Sequence, residues 1–125
     1  MKVNSYLYFN GNCADAIAFY EKAFNVKAEV MPNEETKNLV AHAQIEIGGY
    51  PIFLCDAENP VKVGDNVAVT IRIDEDELPV AKVAFDTLKD GGEIIMELEE
   101  NSWNNCFGLL VDKFGIKWMV CQGLK

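Results

Sequence analysis

Basic residues are scarce in this chain. Eleven lysines and arginines stand against twenty aspartates and glutamates, a formal net charge of −9. So acidic a surface is repelled by nucleic-acid backbones and anionic headgroups, which excludes both as expected partners. Histidine is scarcer still, with a single residue, His42. No apolar run approaches the ~20 residues that a membrane span requires. The Met-Lys start leads straight into a strand-like run, without the apolar core of a signal peptide. None of the four cysteines, Cys13, Cys55, Cys106 and Cys121, stands in Cys-x-x-Cys spacing. Zinc ribbons and thioredoxin-like redox motifs are therefore not indicated, and reduced thiols in the cytoplasm are the expected state. Also missing are a glycine-rich phosphate loop and a Gly-x-Ser-x-Gly nucleophile elbow. No calcium-loop pattern accompanies Glu97, Glu99 and Glu100, which read as a solvated loop.

What is present is ordinary globular composition: 125 residues, half of them hydrophobic and a quarter charged. A chain of that length can bury enough surface to fold as one domain without metal or disulfide. Val3 to Phe9 is β-branched and aromatic and predicts a strand. Asn12 is a suitable N-cap for a helix over Cys13 to Phe24, whose apolar residues Ile17, Tyr20 and Phe24 recur at helical spacing, and Asn25 is a natural stop. Strands are predicted at Lys27 to Met31, Val40 to Ile47 and Ile52 to Cys55, with Gly48-Gly49 as a hairpin turn. Ala57 to Asp65 reads as a linker.

The order then repeats. Asn66 to Ile73 predicts a strand and Leu78 to Lys89 a helix with Pro79 in its first turn, ended by Asp90-Gly91-Gly92. Strands follow at Glu93 to Leu98, Cys106 to Val111 and Ile116 to Cys121. A shift of 66 residues superimposes Ala18-Phe19 on Ala84-Phe85, Gly49 on Gly115 and Cys55 on Cys121. The expected fold is α+β: two βαβββ modules, 1–56 and 66–125 joined by linker 57–65, forming a cupped mixed sheet with helices on its outer face.

Strand, helix and three strands given twice resembles the vicinal-oxygen-chelate superfamily of glyoxalases, bleomycin-resistance proteins and dioxygenases, and within it the PhnB-like branch. The residues that carry the likeness are Gly11-Asn12, Ala16 and Phe19-Tyr20; Ala41-His42-Ala43; Trp103; and Phe107-Gly108, Asp112-Lys113-Phe114-Gly115 and Trp118. The resemblance implies a small-molecule pocket and a homodimer. In metal-dependent members, ligands come from the first and last strands of each module. Carried over by register, those positions fall on Ser5 and Ala68, and on Phe53 and Met119. None is a histidine or a carboxylate, whereas a catalytic zinc needs about three such ligands. The inherited metal site is expected to be lost, and no cofactor is expected. A relocated divalent metal beside His42 stays open as an alternative.

Alternation along the strands places the candidate pocket residues. Ser5, Leu7 and Phe9, His42 and Gln44, Phe53 and Cys55, Thr70 and Arg72, and Met119 and Cys121 are expected on the open face, with Trp103 as a cover. His42 is either a ligand contact or general base, since imidazole changes charge near neutral pH, or a hydrogen-bonded polar residue. Arg72 either grips a carboxylate or phosphate through its planar fork or pairs with one of the many carboxylates. Three readings follow: a metal-independent binder of a small molecule; an enzyme acting on a small anionic substrate, with His42 catalytic; or an interaction module whose cup is filled.

Overall fold

In the computed structural model the described residues are 1–36, 38–99 and 106–122. They form two compact units, Met1–Lys62 and Val63–Lys125. Each contains one helix and one mixed four-stranded sheet, so the α+β reading with two βαβββ modules stands. Trp103 lies outside the described residues.

The first unit runs β1 (Tyr6–Phe9), α1 (Cys13–Phe24), β2 (Glu29–Pro32), β3 (Val40–Ile47) and β4 (Tyr50–Asp56). Its strand order is β1-β4-β3-β2. β1 lies parallel to β4, while β2 and β4 run antiparallel to β3. A β-strand parallel to its partner needs a crossover, and α1 with the outer strands supplies it. The tight β3–β4 hairpin works because Gly48 and Gly49 have φ of 61° and 86°, a turn with two left-handed residues that a side chain would strain.

α1 covers one face of its sheet with Ala16, Ile17, Tyr20 and Ala23, all buried. Against them lie Phe9, Ala43, Ile45 and Leu54, the last three with little or no exposure. Each large side chain buried in this way contributes roughly 1.5–3 kcal/mol. The helix ends as the sequence predicts, with Asn25 left-handed at φ 52° and its N–H bonded to the Glu21 carbonyl. Its start differs. Asn12 occupies the cap position but its side chain makes no cap hydrogen bond. Instead the Asp56 carboxylate, at the end of β4, accepts from the Cys13 N–H at 3.0 Å and from the Val40 N–H at 2.9 Å. A tertiary carboxylate thus replaces the local cap and ties helix, β3 and β4 together.

The second unit repeats the plan: β5 (Val69–Ile73), α2 (Leu78–Leu88), β6 (Glu93–Glu99), β7 (Phe107–Val111) and β8 (Lys117–Gln122), in the order β5-β8-β7-β6. A 3-10 turn at Glu75–Glu77 leads into α2, and Glu77 Oε1 accepts from the Asp74 N–H at 2.8 Å. Its own carboxylate clamp is Asp112, 3 % exposed. Asp112 accepts from the N–H groups of Phe114 and Ile116 and, at 2.9 Å, from Nε1 of the fully buried Trp118. The β7–β8 turn is thereby locked onto the core.

Candidate functional site

Strand pairing decides which side chains share a face, because residues directly opposite one another across a ladder point the same way. In the first unit Tyr6 is opposite Phe53, Phe53 is opposite Gln44, and Gln44 is opposite Glu29. Tyr8 is opposite Cys55 and Met31 is opposite His42. The face that α1 leaves uncovered therefore carries Tyr6, Tyr8, His42, Gln44, Phe53 and Cys55. His42, Gln44, Phe53 and Cys55 lie where alternation puts them. Leu7 and Phe9 do not: Leu7 is opposite Leu54, both residues are buried, and Phe9 meets the Tyr20 ring of α1 at 6.5 Å between centroids. They belong to the core beneath the helix. Ser5 precedes β1, is exposed, and accepts through its carbonyl from the Phe53 N–H at 3.0 Å.

The error at β1 has a physical source. Residues 6–9 are Tyr-Leu-Tyr-Phe, apolar on both faces, so hydrophobic periodicity cannot choose between them. The usable signal was the phenol hydroxyl, which favours the side where one end can meet a polar partner or water. Tyr6 and Tyr8 are residues of the open face that the sequence reading missed.

These two tyrosines build an aromatic surface. Their rings stack at 4.9 Å with an interplanar angle of 16°. Tyr6 also meets His42 edge-on at 5.6 Å and Phe53 at 5.8 Å, and His42 lies 5.4 Å from Phe53. Tyr6 is 38 % and Tyr8 51 % exposed, so the surface is open. Within it the Tyr6 hydroxyl sits 2.8 Å from Nδ1 of His42. Desolvation, and then interaction with the neighbouring Cys55 thiol, pushes the pKa of the Tyr6 hydroxyl up to about 12. Burial likewise raises the pKa of the Cys55 thiol, a shift partly opposed by the neighbouring Tyr6. Both groups are protonated near neutral pH. Beyond Gln44 a shallow polar depression of about 330 Å³ is lined by Val26, Lys27, Glu29, Gln44 and Glu46.

In the second unit Thr70 is opposite Met119, Arg72 is opposite Cys121, and Cys121 and Met119 are opposite Phe107 and Leu109. Thr70, Arg72, Met119 and Cys121 thus share one face, as alternation predicts. Ala68 lies just before β5 and is half-buried. Thr70 Oγ1 lies 4.0 Å from the Met119 sulfur. Arg72 is exposed, and among the described residues no carboxylate stands within ion-pair distance of it.

Among the described residues, a metal implied by relatives of this fold finds no suitable donor set on either face. The strand partners of Phe53 and Met119 are Tyr6 and Thr70, in place of the Ser5 and Ala68 that register alone suggested. Phenol, threonine hydroxyl, thioether and phenyl groups do not make a zinc or magnesium site. His42 is the only imidazole, and its Nδ1 is engaged by Tyr6. The cluster Asp74, Asp76 and Glu77 is exposed, and Glu77 is already bonded to the Asp74 backbone at the start of α2.

The family model described as 3-demethylubiquinone-9 3-methyltransferase matches residues 1–121. The chain is 31 % identical to protein YjdN of Escherichia coli, over 96 % of this chain and 94 % of that protein. Among solved structures, protein PA1353 from Pseudomonas aeruginosa superimposes with a TM-score of 0.82 at 25 % identity, covering 100 % of this chain and 99 % of its own. The PhnB protein of Bacillus cereus does so with a TM-score of 0.77 at 22 % identity, covering 98 % and 100 %.

Proposed function

This chain belongs to the 3-demethylubiquinone-9 3-methyltransferase family, PhnB-like proteins of the glyoxalase and fosfomycin-resistance fold, and we propose that it binds a small organic molecule without a metal. The carrying observation is the open aromatic face of the first unit, where His42 is hydrogen-bonded to Tyr6 and lies beside Phe53, with Tyr8 stacked on Tyr6. Mostly apolar surface with a few placed polar groups is how small-molecule sites are made. His42 then serves as a ligand contact, and Gln44 and Cys55 line the same face. Methyl transfer, which the family description names, would need a place for its cofactor, and no glycine-rich loop of the usual kind occurs in the sequence. A homodimer, as in many relatives, belongs to the same reading and is checked by light scattering.

The test is a thermal-shift screen with small metabolites and antibiotics. A ligand present at 100 times its Kd should raise Tm by about 10 °C. A flat response across the panel, for a protein that is folded in the same buffer, would sink the reading.

A second reading, an enzyme or binder for a small anion, rests on Arg72. Its exposed guanidinium without an acidic partner among the described residues favours recognition of a carboxylate or phosphate through two parallel hydrogen bonds. Arg72→Gln should weaken anionic panel members by tenfold or more and leave neutral ones unchanged. Equal loss for both classes would dismiss an anion-specific role.

A further inference from the structure

The pair made by Tyr6 and His42 has a proton order that can be worked out from its two members. The Tyr6 oxygen sits 2.8 Å from Nδ1 of His42. A phenol O–H is a stronger acid than the N–H of a neutral imidazole, and an imidazole nitrogen is a stronger acceptor than a phenol oxygen. The phenol proton therefore goes to Nδ1. A neutral imidazole whose Nδ1 accepts must carry its own proton on Nε2, so His42 offers a donor, not an acceptor, at its second nitrogen. The stacked rings of Tyr6 and Tyr8, with the Phe53 ring beside them, supply flat apolar area next to that donor. Aromatic surfaces of this kind favour planar partners in offset or edge contact.

We propose that the open face of the first unit is a site for a flat aromatic molecule bearing a hydrogen-bond-accepting oxygen, its ring against the Tyr6–Tyr8 stack and its oxygen on Nε2–H of His42. The inference rests on the small-molecule reading above and narrows it to one ligand chemistry. It assigns Tyr6 as the residue that fixes the tautomer and Tyr8 as part of the stacking surface.

Because His42 is the only histidine, long-range 1H–15N correlation spectra of the protein give one imidazole to interpret. In the neutral form the Nε2–H tautomer should dominate, and Tyr6→Phe should let the Nδ1–H tautomer appear. A dominant Nδ1–H tautomer in the unsubstituted protein would overturn the proposal, whatever else binds. Coumarin, a planar ring with a lactone carbonyl, then serves as probe, with indane as the comparably sized hydrocarbon lacking oxygen. Coumarin is expected to shift the His42 Nε2 and the Tyr6 and Tyr8 ring signals saturably. Indane, and coumarin with the Tyr6→Phe variant, should each bind roughly tenfold more weakly. Indane binding as tightly as coumarin refutes the donor role. Failure of coumarin at millimolar concentration, while some other panel compound does bind, refutes this ligand class and leaves the small-molecule reading standing. Silence from the entire panel removes both.

Discussion

The two units are built to one plan and finished with different surfaces. Pairing makes Tyr6 and Tyr8 of the first the counterparts of Thr70 and Arg72 in the second, and Phe53 and Cys55 those of Met119 and Cys121. Their helix-covered faces are alike: Leu54, Ala43 and Ile45 on one side, Trp118, Val120 and Leu110 on the other, all with 0 % exposure. The open faces are not. One carries aromatic rings beside an imidazole; the other combines Thr70, Met119 and Cys121 with Arg72, which has no ion-pair partner among the described residues. The contrast teaches that the covered face is constrained by packing, since even one extra methylene disturbs a dense core, whereas the open face is free to take on ligand chemistry.

The comparison can be broken most severely at the carboxylate clamps, which sit at different places in the two units. Asp112→Ala strands the buried Trp118 Nε1–H and two turn N–H groups, and should cost about 4 kcal/mol in chemical denaturation. Asp56→Ala loses two backbone donors at a half-buried site and should cost about 2 kcal/mol. Equal losses would show that the second clamp gains nothing from its tryptophan.

A smaller effect separates the matched turns. Gly49 and Gly115, related by the 66-residue shift, have φ of 86° and 89°. A methyl on Gly49 meets nothing within 4 Å, but one on Gly115 would lie 2.8 Å from Cγ1 of Val63. Alanine should therefore cost about 1 kcal/mol at Gly49, from backbone strain alone, and about 2 kcal/mol at Gly115. Indistinguishable Tm values for the two variants would remove the difference.

The smallest effect is a response to alkali from the first unit. Burial, then the Asp56 charge, pushes the Cys13 thiol from 9.0 up to about 12. The fold keeps a proton that the unfolded chain loses above pH ~9, so stability is level below that pH and falls above it until the folded group titrates. The loss should reach about 1 kcal/mol between pH ~8 and ~9.5, and Cys13→Ala should flatten it. A slope unchanged by that substitution would shift the effect to Cys55 or Tyr6, whose protons are also held more tightly in the fold.

Much of this was legible beforehand where spacing and turn chemistry left one solution. Cys13–Phe24 and Val40–Ile47 have the predicted bounds, and Gly48-Gly49 makes the predicted hairpin. Thr70, Arg72, Met119 and Cys121 fall on a shared face because Val69, Ile71 and Ile73 alternate with polar residues. Where the sequence reading failed, local pattern was degenerate: Tyr-Leu-Tyr-Phe offers two apolar faces, and Asn12 was as good a cap as any.

By itself, then, the sequence determined the repeated βαβββ order and a supply of imidazole limited to His42, because these depend on residue type and short-range periodicity. The face that β1 turns outward, the Asp56 carboxylate in place of Asn12 at the start of α1, and the meeting of Tyr6 with His42 were decided by tertiary structure. Each joins residues 16 to 47 positions apart in the chain, and only the pairing of strands brings such groups within hydrogen-bonding distance.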